Sequence, residues 1–277
     1  MGNIKVVFFD MDGTLLDAHS RVSRYSAGQI REFYEQGLRF GIASGRPVSA
    51  IKQRLEEGHV LEFFSYAVGM NGSHIVTLNS EVIDEVTFMP AEGIAELIDL
   101  YADMLEAAIS LSNEHTLHMQ KDGPLMEALC RGDGLEKVVS DFSLERTMAW
   151  PKLAIWFKPA DKEKIWKRYT EGFRNPTMKG QFAGPYSLEF TLAGQDKGEG
   201  IRRLMEMADI SIQDVMGIGD SGNDLSMLRA VGTPVAMMNA EDAVRHVCRY
   251  ITRFDYKHDG AVRYMKDHSE LFCLRRK

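Results

Sequence analysis

The stretch KVVFFDMDGTLLD (Lys5–Asp17) ends an apolar run, Val6–Phe9, with two carboxylates one residue apart, Asp10 and Asp12. Side chains of a strand alternate faces, so the pair points one way if the extension continues through Met11. Like charges that close disfavour each other's ionisation, and such a pair persists when a cation lies between them or when both are in water. Three more polar clusters carry related chemistry: Ser44-Gly45-Arg46, the segment holding Lys197, and Gly219-Asp220-Ser221-Gly222-Asn223-Asp224. Asp10, Asp12, Asp220 and Asp224 together would gather up to four negative charges. A like-charge pair at about 4 Å costs roughly 4 kcal/mol at an effective dielectric of about 20, so a phosphate could join them only with cations present. Oxygen donors with no His or Cys nearby in sequence select a hard ion, and Mg²⁺ keeps waters and bridges phosphate oxygens. Lys197 adds a positive charge. Ser44 and the backbone N–H groups of Gly45 and Met11 add donors for phosphoryl oxygens. The set suits phosphoryl transfer on a small-molecule phosphate ester. A calcium loop of the EF-hand kind would need a further acidic or amide residue before the Gly and a distal Glu, which this segment lacks.

These clusters need elements that bring them together. Val6–Phe9 reads as a strand buried on both faces. A helix over Ala27–Gln36 with Ser26 as N-cap, a strand over Arg39–Ala43, a helix over Val48–Leu55 and a strand over Tyr66–Val68 follow. That alternation predicts a parallel sheet with helices on its faces. From Asp84 to Tyr186 the rhythm changes to longer, more alternating strands. Within it, VTFMPAEGIAELIDLY (Val86–Tyr101) and AIWFKPADKEKIWKRY (Ala154–Tyr169) each read strand, Phe-x-Pro-Ala, amphipathic helix, which predicts a duplicated α+β unit. The α/β alternation returns near Asp196: a helix over Gly198–Ala208, strands over Val215–Ile218, Pro234–Met237 and Arg249–Thr252, and helices over Leu225–Ala230, Glu241–Cys248 and Ala261–Lys266. The expected organisation is a core of residues 1–83 and 187–277, split by an insertion of residues 84–186. All four polar clusters then fall past the carboxyl ends of core strands, where open parallel sheets bind ligands.

Bulk properties narrow the classes. The formal charge of −7 and the lack of any Lys/Arg run argue against a nucleic-acid surface; the basic tail Leu274-Arg275-Arg276-Lys277 is short. Cys130, Cys248 and Cys273 are widely spaced, which fits reduced thiols in a cytoplasmic protein better than a disulfide framework or a zinc site. Met1-Gly2 lacks the Ser or Thr that a myristoylation start wants at Val6. No uncharged apolar run reaches spanning length, so no membrane partner is expected. A monomer or weak homodimer is expected.

In their order and residues, DMDGT, the Ser of ASGR, the Lys of DKG and GDSGND resemble the four motifs of the haloacid dehalogenase (HAD) superfamily. The insertion resembles its C2-type (type B) cap, by size and position. Gly217–Ala240 and Asp259–Val262 are similar to the Cof-type, IIB subfamily. The resemblance implies a Rossmann-like α/β core with an inserted α+β cap that closes over the leaving group and sets specificity. It implies a Mg²⁺-dependent phosphatase acting through an aspartyl-phosphate. Asp10 is then the nucleophile and Asp12 the general acid and base. Asp10, Asp220 and the backbone carbonyl of Asp12 are the metal ligands, with Asp224 holding the site directly or through water. Met11, Ser44, Gly45, Lys197 and Asn223 bind the phosphoryl group. A phosphomutase and a non-catalytic phosphate-binding module are the other readings. Arg46 either contacts substrate or pairs with an acidic neighbour, Met70-Asn71-Gly72 either lines the cleft or is a plain turn, and His115 and His118 read as ordinary polar positions of the cap.

Overall fold

None of the four residues of β1 (Val6–Phe9) touches solvent, because the strand lies in mid-sheet with neighbours on both sides and helices on both faces. The structure, a computed structural model, describes residues 3–79 and 83–274; Met1, Gly2 and the basic residues Arg275, Arg276 and Lys277 lie outside the described residues. After β1 come α1 (Arg24–Glu35), β2 (Arg39–Ala43), α2 (Val48–Glu57), β3 (Phe64–Gly69), β4 (His74–Thr77) and β5 (Asp84–Val86). The insertion follows: α3 (Ala91–Tyr101), β6 (Ala108–Ser112), β7 (Thr116–Met119), α4 (Pro124–Asp133), β8 (Glu136–Val139), β9 (Lys152–Trp156), α5 (Lys162–Gly172), β10 (Met178–Ala183) and β11 (Ser187–Leu192). The chain then resumes with α6 (Lys197–Met207), β12 (Val215–Gly219), α7 (Leu225–Ala230), β13 (Thr233–Ala236), α8 (Asp242–Val247), β14 (Tyr250–Ile251) and α9 (Gly260–Asp267).

The first unit holds a sheet in the order β14-β13-β12-β1-β2-β3-β4-β5, parallel from β14 to β3. Chain order runs outward from β1 through β2 and β3 on one side, while β12 to β14 extend the other. The order therefore reverses between β1 and β12, whose register pairs Phe9 with Ile218. This is the doubly wound, Rossmann-like arrangement, and the reversal is where its ligand crevice forms. One continuous core packs the helices on this sheet. The Ser expected to cap α1 is one turn too late. Ser23 is the N-cap and its side chain accepts from the Ser26 N–H at 3.0 Å.

The second unit is a separate α+β body with its own core. Its sheet runs β10-β11-β9-β6-β7-β8 and is antiparallel except for the β7–β8 pair. Apolar residues of α3 (Ile94, Leu97, Ile98) and α5 (Ile165) pack one face against Ile109, Leu111, Leu153 and Phe190. The duplication takes a different form from the expected one. The helix of each copy is present, but the first copy's Val86 ends β5 in the first unit's sheet and Met89 alone bridges to Trp150 in the second, where the second copy has all of β9. What repeats in three dimensions is a helix followed by an antiparallel hairpin, α3-β6-β7 and α5-β10-β11.

The boundaries also move. The units are residues 1–85 with 196–277, and 86–195. Asp84 belongs to β5 in the first sheet, and β11 pairs with β9 and β10 in the second. The expected division at 83/84 and 186/187 would have cut β11 from its sheet, because alternation in sequence does not say which sheet receives a strand.

Candidate active site

The site is built where β1 and β12 end. The Asp10 N–H continues the ladder by donating to the Ile218 carbonyl at 2.9 Å, so Asp10 is fixed by the sheet itself and is buried. The extension stops there. Met11–Leu15 wraps into one wide turn, closed by the Leu16 N–H donating to the Met11 carbonyl at 3.0 Å. Gly13 sits in it at φ +83°, and a Cβ there would lie 2.6 Å from an Asp220 carboxylate oxygen. Glycine is needed both for the backbone and for the close approach. The two carboxylates of the opening stretch thus part company. Asp10 is 5% exposed, while the Asp12 side chain is 52% exposed and takes a two-pronged contact from Arg46, Nε to Oδ2 at 2.7 Å and Nη2 to Oδ1 at 2.8 Å. Arg46 is the pairing residue of the two roles open to it in sequence.

From the far end of the chain, Lys197 enters as the first residue of α6, whose N-cap Asp196 accepts from the Glu199 N–H at 2.9 Å. Lys197 is fully buried, and its Nζ lies 2.6 Å from both Asp10 Oδ1 and Asp224 Oδ1. α6 comes this close because residue 198 is Gly: a Cβ there would be 2.3 Å from the Ser226 carbonyl oxygen. The other oxygen of Asp224 accepts the N–H groups of Asp220 (2.9 Å) and Ser221 (3.0 Å), which folds the loop after β12 around that carboxylate. Asp220 accepts from Thr14 Oγ1 at 3.1 Å. Carboxylate oxygens of Asp10, Asp220 and Asp224 lie within 4.8 Å of one another.

The electrostatics follow from burial. Desolvation, then the Asp224 charge, raises the Asp10 carboxyl well above its ordinary range, against the opposing pull of Lys197. The same two causes push Asp220 up to about 7. Burial works to lower the Lys197 ammonium, but Asp10 and Asp224 outweigh it and hold the group above its usual value. Three carboxylates facing one lysine carry two uncompensated negative charges when all are ionised. An all-oxygen donor set that resists its own ionisation fits a hard divalent cation.

Of the residues singled out in sequence, the structure brings Asp10, Lys197, Asp220 and Asp224 into contact. The carboxylate of Asp12 is not part of that cluster, so the expected gathering of four acidic groups becomes three. Met11 is buried beneath the turn and Gly45 is half-buried. Ser44 follows β2, beside β1. Its N–H donates to the Val68 carbonyl (2.8 Å) and its Oγ accepts the Arg46 N–H at 3.2 Å. Asn223 donates through Nδ2 to Asn71 Oδ1 at 3.0 Å. Met70-Asn71-Gly72 is therefore more than a turn, since all three take positive φ and the buried Asn71 side chain anchors a site residue. Sequence reasoning passed over Asn239, whose Nδ2 donates to the Gly13 carbonyl at 3.0 Å. Its position just past β13 was the available signal. A polar cavity of about 340 Å³ opens here, lined by Asp12, Gly13, Asp17, Asp220, Asn239 and Tyr256 among others.

A doubly wound sheet carrying a lysine-bridged carboxylate cluster at its point of reversal defines an enzyme of phosphoryl-group chemistry. A family model described as haloacid dehalogenase-like hydrolase matches residues 7–265, so the chain belongs to that family, and it is a phosphatase of it. A 5-amino-6-(5-phospho-D-ribitylamino)uracil phosphatase of Bacillus subtilis, YcsE, is 26% identical over 265 residues, covering 95% of each chain. One of Escherichia coli, YbjI, is 26% identical over 251 residues, covering 90% of each. Among solved structures, SMU.1108c of Streptococcus mutans superposes with a TM-score of 0.85 at 24% identity, over 96% of this chain and 99% of that one. The HAD subclass IIB sugar phosphatase BT4131 gives 0.81 at 24% identity, over 97% and 100%. These two likenesses establish the fold. Among the described residues no helix is long and apolar enough to cross a membrane.

Proposed function

We propose that the protein is a Mg²⁺-dependent phosphatase that hydrolyses a small phosphorylated metabolite, a sugar phosphate or a phosphorylated cofactor, through an aspartyl-phosphate. The observation that carries this reading is the meeting of Asp10, Asp220 and Asp224 around Lys197. Asp10 attacks phosphorus, forming an acyl phosphate as the bond to the alkoxide breaks; water then attacks phosphorus, releasing phosphate and regenerating the carboxylate. Asp12 gives the proton to the leaving alkoxide and takes one from the attacking water. Its contact with Arg46 orients the carboxylate for both tasks. Lys197, Ser44 and Asn223, with the N–H groups of Met11 and Gly45, hold the phosphoryl oxygens as charge passes between them. The carboxylates of Asp10 and Asp220 and the backbone carbonyl of Asp12 hold Mg²⁺, with Asp224 orienting the loop around them. When bound, the ion neutralises the charge that the carboxylates and phosphate bring together. The names of the two ribitylaminouracil phosphate phosphatases fit this substrate class. With its charge of −7 the protein acts alone or as a weak homodimer in the cytoplasm, without nucleic acid.

Phosphate release from a panel of phosphate esters, with Mg²⁺ and with EDTA, tests the reading. Asp10→Asn should abolish Mg²⁺-dependent release and leave the fold intact by circular dichroism. Full activity of that variant removes the nucleophile assignment. Turnover that needs a bisphosphate and releases little phosphate would instead identify a mutase, and binding with no turnover a non-catalytic module.

A further inference from the structure

Three loops of the first unit bring site residues from distant parts of the chain: the one after β2, the one before α6 and the one after β12. A single short turn touches all three. Met70-Asn71-Gly72, which follows β3, is buried and takes φ of 48°, 54° and 104° in succession. A methionine in the left-handed region is uncommon, and such a backbone persists where its surroundings fix it. Here they do. The Met70 N–H donates to the Arg46 carbonyl at 2.8 Å and the Asn71 N–H to the Ser44 carbonyl at 3.0 Å, so the turn is tied to the segment after β2. A Cβ on Gly72 would lie 2.3 Å from the Asp196 carbonyl oxygen, so glycine lets the turn press on the residue that precedes Lys197. The Asn71 side chain completes the set by accepting from Asn223 Nδ2 at 3.0 Å.

That last bond decides which end of the Asn223 amide is left to act. An amide offers one acceptor oxygen and two N–H donors, and turning it over exchanges them. Asn223 is held at both ends. Its Oδ1 accepts from Ser221 Oγ at 2.6 Å, and its Nδ2 gives one hydrogen to Asn71 Oδ1. The second Nδ2 hydrogen has no partner among the described residues although Asn223 is buried, and a buried donor is costly unless something polar meets it. A phosphoryl oxygen carries negative charge, so an N–H attracts it and a carbonyl oxygen repels it. The neighbouring carboxylates of Asp10, Asp220 and Asp224 already crowd acceptors together, and an amide turned the wrong way would add one more. Asn71 is fully buried, so solvent does not compete for its oxygen.

We propose that Asn71 is a positioning residue for phosphoryl recognition: by holding Asn223 Nδ2 it makes that amide present an N–H, and not its oxygen, to the phosphoryl group. The inference rests on the phosphatase reading and adds to it a residue that acts through Asn223. The test is a double-mutant cycle between the two asparagines. Asn71→Gly removes the side chain and leaves a residue at ease at φ 54°. Orthovanadate binding in Mg²⁺ is measured by titration calorimetry on the wild type, Asn71→Gly, Asn223→Ala and the double variant. Asn71→Gly should weaken binding about tenfold with Asn223 in place, and less than about twofold in the Asn223→Ala background. The Mg²⁺ concentration for half-maximal p-nitrophenyl phosphate hydrolysis should stay within about twofold in Asn71→Gly, which a general loosening of the site would not allow. Should Asn71→Gly fail to fold, Ser221→Ala, which frees the other end of the amide, carries the same cycle. Equal losses in both backgrounds, no loss in either, or a Mg²⁺ requirement that rises with the vanadate constant overturns the assignment and leaves the phosphatase reading standing. Wild-type protein that binds no orthovanadate and releases phosphate from no ester in Mg²⁺ overturns the phosphatase reading itself.

Discussion

Lys197 neutralises only part of the cluster it bridges, and the consequence falls on Asp220. Its carboxyl is pushed up from 3.8 to about 7 by burial and by Asp224. A raised carboxyl pKa means that the folded protein holds a proton which the unfolded chain has already released. Between about pH 4 and about pH 7 the folded state therefore binds more protons, and stability falls as pH rises through that window. Asp10, shifted the same way, adds to the trend. A divalent cation bound at these carboxylates would replace the proton and offset that cost. The metal-free protein should accordingly melt higher at about pH 5 than at about pH 8, and Mg²⁺ should raise the melting temperature by several degrees at the higher pH and little at the lower. Differential scanning calorimetry in EDTA and in Mg²⁺ at the two pH values checks this. A Mg²⁺ shift of the same size at both would mean that the ion does not sit on Asp10 and Asp220.

At the scale of elements, α1 shows how the chain sets an end that periodicity leaves open. Ser23 caps it through the Ser26 N–H, and the hydroxyls of Ser23 and Ser26 both donate to Asp259, the residue preceding α9. Ser23→Ala should cost about 1–2 kcal/mol of stability, at the upper end for a lost cap because a second bond goes with it. Urea unfolding measures this, and kcat should not change; a loss below about 0.3 kcal/mol would show the cap to be idle. The same element shows what sequence can convey. Strands β1 and β2 and helix α7 have the bounds their apolar runs predict, since a strand buried on both faces leaves no ambiguity of period. The cap of α1 falls on Ser23 rather than Ser26 because SRYS offers two serines three residues apart, and only the fold shows that the chain is already helical from Arg24, where the Ser26 N–H turns back to the Ser23 side chain. The carboxylates and Lys197 were legible because few residue types can do their chemistry. Asn71 and Asn239 were not, because they reach the site through hydrogen bonds to Asn223 and Gly13, partners 152 and 226 residues away.

At the scale of the whole molecule, the main cores of the two units share one chain that passes between them after Glu85 and again after Gln195. The cluster of Asp10, Asp220, Asp224 and Lys197 lies wholly in the first. All three tryptophans, Trp150, Trp156 and Trp166, lie in the second. Indole emission thus reports on one unit, while far-ultraviolet circular dichroism sums over both. Trp150 is the most informative, being buried with its ring centroid 4.8 Å from that of His118, which itself pairs with Glu145 at 2.7 Å. A ligand that binds only folded protein stabilises by roughly 2.7 kcal/mol at about a hundred times its dissociation constant, and it acts on whatever unit unfolds with the site. Mg²⁺ with orthovanadate should therefore delay part of the dichroism transition in urea and leave the tryptophan transition in place, so that the two curves separate further as ligand is added. Curves that coincide without ligand and move together with it would show that the inserted unit unfolds only as part of the core, and that two cores need not mean two cooperative units.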